Sequence, residues 1–93
     1  MSEALSTLPD QETADRLRQI VISVLKLDIA PRDIHDDTSL HELGLESMSV
    51  VELLTQIEIA FDIVIDVEDL SVELFARFDT LLGFVGAKRD DAR

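Results

Sequence analysis

Residues 41–61 read HELGLESMSVVELLTQIEIAF. Val50, Leu53, Leu54, Ile57 and Phe61 recur at three- and four-residue intervals, the period of one helix face, so a helix is predicted from Ser47 to about Phe61. Just ahead of it, Gly44 permits a tight turn. Ser47 then falls in the first helical turn, where backbone N–H groups lack intrahelical acceptors and favour an anion. An ordinary N-cap, with the hydroxyl accepting a backbone N–H, is the other reading of a serine in that place. Met48, Val51, Thr55 and Ile59 form a second stripe outside the core set, with Glu52 and Glu58 beside it. Either the neighbouring loop covers Val51 and Ile59, or the strip is a docking surface for a basic, apolar-centred partner.

Upstream, Ala14, Leu17, Val21, Val24 and Leu27, with Ile20 widening the stripe, predict a first helix from near Asp10 to near Leu27. Asp10, Glu12 and Asp15 at its start and Lys26 at its end suit the helix dipole. Between the two helices, Asp28 to Glu46 has no periodicity, and Ile34, Leu40, Leu43 and Leu45 are the candidates to pin this long connection to the core. After Phe61, DIVIDVED is β-branched enough for a strand, but little else in the chain offers it a partner, so an extended connector is expected. A short helix is expected near Glu68 to Phe75. A last helix is expected through TLLGFVGAK, capped by Asp79, with Leu81, Leu82 and Val85 facing the core and Lys88 and Arg89 at its end. The fold class is therefore all-α, with one core. Residues 1–8 read as a flexible tail, 9–89 as the domain and 90–93 as a polar tail.

Composition narrows the function. The net charge is −12, and from Asp33 to Glu73 there are twelve carboxylates and no Lys or Arg. Phosphate-rich partners would be repelled, which excludes nucleic acid and an anionic membrane surface and points to basic protein partners. There is no cysteine, so disulfides, thiolate metal sites and a cysteine nucleophile are out. No apolar run approaches a membrane span, and the first residues lack the basic start and apolar segment of a secretory signal, so a cytoplasmic protein is expected. Ser47 does not read as a nucleophile: the elbow motif requires glycines where Leu45 and Ser49 stand, and His35 and His41 lack an orienting partner. No metal-ligand spacing recurs.

The stretch DDTSLHELGLESMSVVELLTQIEIAFDIVID closely resembles the segment around the prosthetic-group serine of acyl carrier proteins and the related peptidyl carrier domains. The resemblance extends from the first helix to ELFARFDTLLGFV. The family signature is Gly, any residue, Asp, Ser, then Leu or Met, with Val and Glu about one turn further on, and Gly44, Ser47, Met48, Val51 and Glu52 occupy those places. Glu46 stands where the family usually has Asp, which keeps the charge but lengthens the arm. The resemblance implies a small four-helix bundle, three longer helices and a short one, with a long loop between the first two. It implies that Ser47 receives 4′-phosphopantetheine from a phosphopantetheinyl transferase that uses coenzyme A, with Gly44 and Glu46 forming its surroundings. The protein would be a carrier rather than an enzyme. It would present acyl thioesters to loading, condensing and tailoring enzymes of fatty acid, polyketide or related biosynthesis, whose basic patches dock on Met48, Val51, Glu52, Thr55, Glu58 and Ile59. A monomer is expected. The alternatives are an aminoacyl or peptidyl carrier of the same fold and, in a different class, an acidic helical interaction module without a prosthetic group.

Overall fold

The structure, a computed structural model, describes residues 11–92 apart from the side chains at 67 and 90–92. The tail expected over 1–8 and the helix start near Asp10 lie outside the described residues. Among the described residues three α-helices follow one another: α1 (Gln11–Leu25), α2 (Ser47–Phe61) and α3 (Phe78–Ala92). Three short 3-10 turns, Pro31–Asp33, Val67–Asp69 and Val72–Phe75, punctuate the connections, and no strand occurs among the described residues.

In α1 the stripe Ala14, Leu17, Val21 and Val24 is buried, while Ile20 is half-buried. Leu17 and Val21 lose all contact with solvent, each contributing about 1.5–3 kcal/mol of transfer free energy. Such burial outweighs the modest propensity penalty of the β-branched run at Ile20–Ile22. The helix ends before Lys26, which adopts φ 56°. There the Leu27 N–H reaches Ile22 O at 3.0 Å and the Lys26 N–H reaches Ser23 O at 3.4 Å, the bonds of a Schellman ending. Lys26 therefore stands just beyond the last turn instead of within it, and Leu27 packs half-buried from outside the helix.

The α2 boundaries are those expected, with Leu53, Ile57 and Phe61 buried and Val50 and Leu54 half-buried. Asp62 closes it in the left-handed region at φ 56°. Ile63 beyond is buried, Val64 exposed and Ile65 half-buried, an alternation like that of a strand. The Ile65 N–H, however, goes to the Glu58 carboxylate at 2.7 Å rather than to a neighbouring chain segment, so the stretch is an extended connector.

The short helix expected over Glu68–Phe75 is instead the pair of 3-10 turns separated by Leu70 and Ser71. Ser71 marks the break: its backbone is extended, at φ −153° and ψ 160°, and its Oγ caps the second turn by accepting the Leu74 N–H at 3.2 Å, while Asp69 reaches back to the Asp66 N–H at 3.1 Å at the start of the first.

Asp79 does not cap α3. The helix already includes Phe78, and its opening N–H groups are satisfied by the loop: Phe78 donates to Thr38 O and Asp79 to Asp36 O, both at 2.8 Å. The Asp79 carboxylate pairs with Arg77 at 3.0 Å. Phe78, Leu81 and Val85 are fully buried and Leu82 half-buried. The helix continues past Lys88 and Arg89 to Ala92. Arg89 Nη1 donates to the buried Thr13 Oγ1 at 2.6 Å, and its guanidinium lies 5.4 Å from the Phe61 ring centroid, joining the ends of all three helices.

The connection over 26–46 is pinned by buried Ile34, Leu40 and Leu45, with Leu43 half-buried. Arg18 braces it from α1. Its Nε donates to Ile34 O at 2.9 Å, one Nη lies 3.7 Å from an Asp36 oxygen, and the guanidinium stacks 4.8 Å from the centroid of buried Phe78.

Candidate functional site

The buried Leu40 and Leu45 anchor both ends of a tight turn, in which Leu43 and Leu45 donate to Leu40 O and Gly44 donates to His41 O, all within 3.1–3.2 Å. Gly44 takes φ +105°, a conformation a side chain would strain although a Cβ there would meet nothing. Two residues later the chain enters α2.

Ser47 is the first residue of that helix and is exposed. The N-cap is Glu46, whose side chain makes no capping bond, so the reading of Ser47 as an ordinary N-cap falls. Among the described residues the Ser47 hydroxyl has no hydrogen-bond partner, and the N–H groups of Ser47, Met48 and Ser49 have no acceptor. An exposed hydroxyl beside three unpaired donors at a helix start suits a negatively charged substituent on its oxygen. Neither histidine bonds to that hydroxyl: the His41 ring is occupied with Val72 O at 3.3 Å, and His35 lies in the loop, exposed. No group of side chains suited to a metal ion occurs among the described residues.

The second stripe of α2 is open to solvent. Met48 is 87% exposed, Val51 66% and Ile59 71%, so the loop does not cover them. Glu52 is exposed and makes no ion pair with any described residue. Thr55 is exposed too, but its hydroxyl donates back to Val51 O at 2.9 Å. Glu58 differs from the rest of the set. It is half-buried, and its carboxylate holds the connector through Ile65.

Two further exposed apolar residues, Val64 and Val72, belong to the same acidic half and escaped the periodicity argument because neither lies on an α-helix. Also unforeseen is the tie from Lys88 Nζ to Asp69 at 2.8 Å, which holds the Val67–Asp69 turn on α3 and keeps the Asp69 carboxyl below the usual carboxylate range. Arg77 likewise depresses Asp79 and is itself raised. A signal exists for the first of these in the sequence, since Lys88 is among the few cations near so many carboxylates, but spacing alone does not choose its partner.

A family profile described as the phosphopantetheine attachment site matches residues 15–86. Aminoacyl carrier protein 2 of Bradyrhizobium diazoefficiens is 33% identical over 61 residues, which cover 66% of this chain and 68% of that protein. The citrinin polyketide synthases of Monascus ruber and Monascus purpureus are each 32% identical over 62 residues, 67% of this chain but only 2% of those far longer proteins. No solved structure matches the chain significantly. No helix among the described residues is long and apolar enough to cross a membrane. Together with the all-helical fold, these matches show that the chain belongs to the phosphopantetheine attachment site family, as a carrier-protein domain whose prosthetic group is covalent 4′-phosphopantetheine.

Proposed function

We propose that Ser47 is the residue that bears 4′-phosphopantetheine, joined through its Oγ to the phosphate, and that the domain presents acyl groups to partner enzymes. The exposed, unpartnered Ser47 hydroxyl at the head of α2 carries this reading. When bound, the group supplies a long flexible arm and a terminal thiol for thioester chemistry. The chain's own part is presentation: Gly44 makes the turn, Glu46 ends the turn and starts the helix, and the N–H groups of Ser47, Met48 and Ser49 offer donors to the phosphate. Since no internal bond holds the hydroxyl, none is broken when a transferase takes it. Tethering then raises the effective concentration of cargo at each docked enzyme.

We assign docking to Met48, Val51, Glu52, Thr55 and Ile59, and to Glu58 in addition to its hold on the connector. The net charge of −12 favours basic partner surfaces, which speeds encounter without requiring tight complexes. The two 3-10 turns between α2 and α3 are read jointly as the short fourth element of an acyl-carrier-protein-like bundle spanning 9–89, which acts as a monomeric carrier. An aminoacyl cargo is the second reading, favoured by the match that covers 68% of an aminoacyl carrier protein. Incubation with coenzyme A and a broad-specificity phosphopantetheinyl transferase tests the assignment of Ser47: intact mass gains one phosphopantetheine in the wild type and none in Ser47→Ala. Offering the loaded protein fatty acyl and aminoacyl donors with their activating enzymes separates the two cargo classes.

A further inference from the structure

His41 sits in the turn that leads to Ser47, yet its side chain turns to a different part of the chain. Its Nε2 lies 3.3 Å from Val72 O, and its ring meets Phe75 edge-on, centroids 6.4 Å apart and planes at 83°. The residue before it makes a parallel attachment: the Leu40 N–H donates to Phe75 O at 3.1 Å. Two consecutive residues of the turn are thus bound to the two ends of the Val72–Phe75 turn.

The buried Leu40 and Leu45 fix the two ends of the turn in the core, and the Leu40 bond ties its entry to Phe75. The His41 bond adds a tie on the solvent side, where no buried side chain holds the turn. Between these bonds and the hydroxyl lie only Glu42, Leu43, Gly44, Leu45 and Glu46, with Leu45 buried, so the orientation of the turn is passed on to the start of α2. The same tie fixes where Val72, exposed and apolar, stands relative to the head of α2. A carbonyl only accepts, so His41 must hold its proton on Nε2 to make the bond.

We propose that His41 is a positioning residue for phosphopantetheinylation, holding the attachment turn and the Val72–Phe75 turn in one arrangement for the transferase to grip. The inference rests on Ser47 being the modified residue. An exposed hydrogen bond of this kind is worth about a two- to tenfold change in an equilibrium. In His41→Ala the transferase KM for the carrier should therefore rise about two- to tenfold, with kcat unchanged, because the hydroxyl itself is untouched. His41→Gln, which can present an N–H donor at similar reach without the ring, should recover most of the loss. A wild-type KM for His41→Ala, or no recovery with Gln, would overturn the proposal. A separate readout needs no modification at all. Long-range 15N–1H correlation spectra of the unmodified protein, at a pH where the ring is neutral, should place the His41 proton on Nε2; a proton on Nδ1 would overturn the brace even if Ser47 is modified normally. Conversely, an Nε2 proton in a wild-type protein that no transferase modifies would sink the Ser47 assignment and, with it, the role in modification.

Discussion

The Glu58 carboxylate accepts the Ile65 N–H at 2.7 Å and so ties the last turn of α2 to the connector beyond it. This bond distinguishes Glu58 from the exposed carboxylates around it. Removing the acceptor strands a half-buried N–H, so Glu58→Ala should lose roughly 1–3 kcal/mol in urea unfolding, with Glu58→Gln in between. Wild-type stability in the alanine variant would show that water replaces the carboxylate without loss.

Glu52 offers the opposite balance. It is exposed and makes no ion pair among the described residues, so reversing its charge should leave the melting temperature almost unchanged. If it docks basic partners, Glu52→Lys should slow modification by about tenfold at low salt, and the gap should close as ionic strength rises. Loss of stability with an unchanged rate would give Glu52 a structural role instead.

Both α1 and α2 end on side chains held at φ 56°, Lys26 and Asp62. L residues are strained there, and glycine is not. Allowing for the extra chain entropy glycine loses on folding, Lys26→Gly and Asp62→Gly should each stabilise by about 0.5–1 kcal/mol, read from the denaturation midpoint. Destabilisation by both would mean that the helices end differently in solution.

The Asp69–Lys88 tie predicts a pH signature. The Lys88 ammonium holds the Asp69 carboxyl below its ordinary value of 3.8 in the folded protein. A carboxyl depressed on folding adds stability at pH values above its unfolded pKa, and that contribution is lost as pH falls through the lower folded value. The melting temperature of the wild type should exceed that of Asp69→Asn at pH 7, and the difference should shrink by pH 3. A constant difference across that range would exclude the ion pair as its source.

The helices are legible in the sequence because their apolar residues keep one period, and the burial of Leu17, Val21, Leu53, Ile57, Leu81 and Val85 follows it. Gly44 is legible because its turn needs a positive φ. The start of α3 is not: Asp79 has the chemistry of a cap, but the acceptors that serve the helix are the backbone oxygens of Asp36 and Thr38, which carry no mark in the residue string. The break between the two 3-10 turns is missed for a related reason, since Ser71 caps a new turn in a stretch whose apolar residues alone fit a helix. At the candidate site, the spacing of Met48, Val51 and Ile59 marks a second stripe, and their exposure is what the fold adds. The contact of His41 with Val72 joins residues far apart in the chain, which periodicity does not address.

The Ser47 oxygen is the proposed point of covalent attachment. Tandem mass spectrometry of the wild-type protein after incubation with coenzyme A and a phosphopantetheinyl transferase locates the group on the chain. One phosphopantetheine on the peptide containing Ser47, and an unmodified Ser47→Ala chain, is the predicted result. A group located on another residue, or a wild-type chain that stays bare while a control carrier in the same tube is converted, would contradict it.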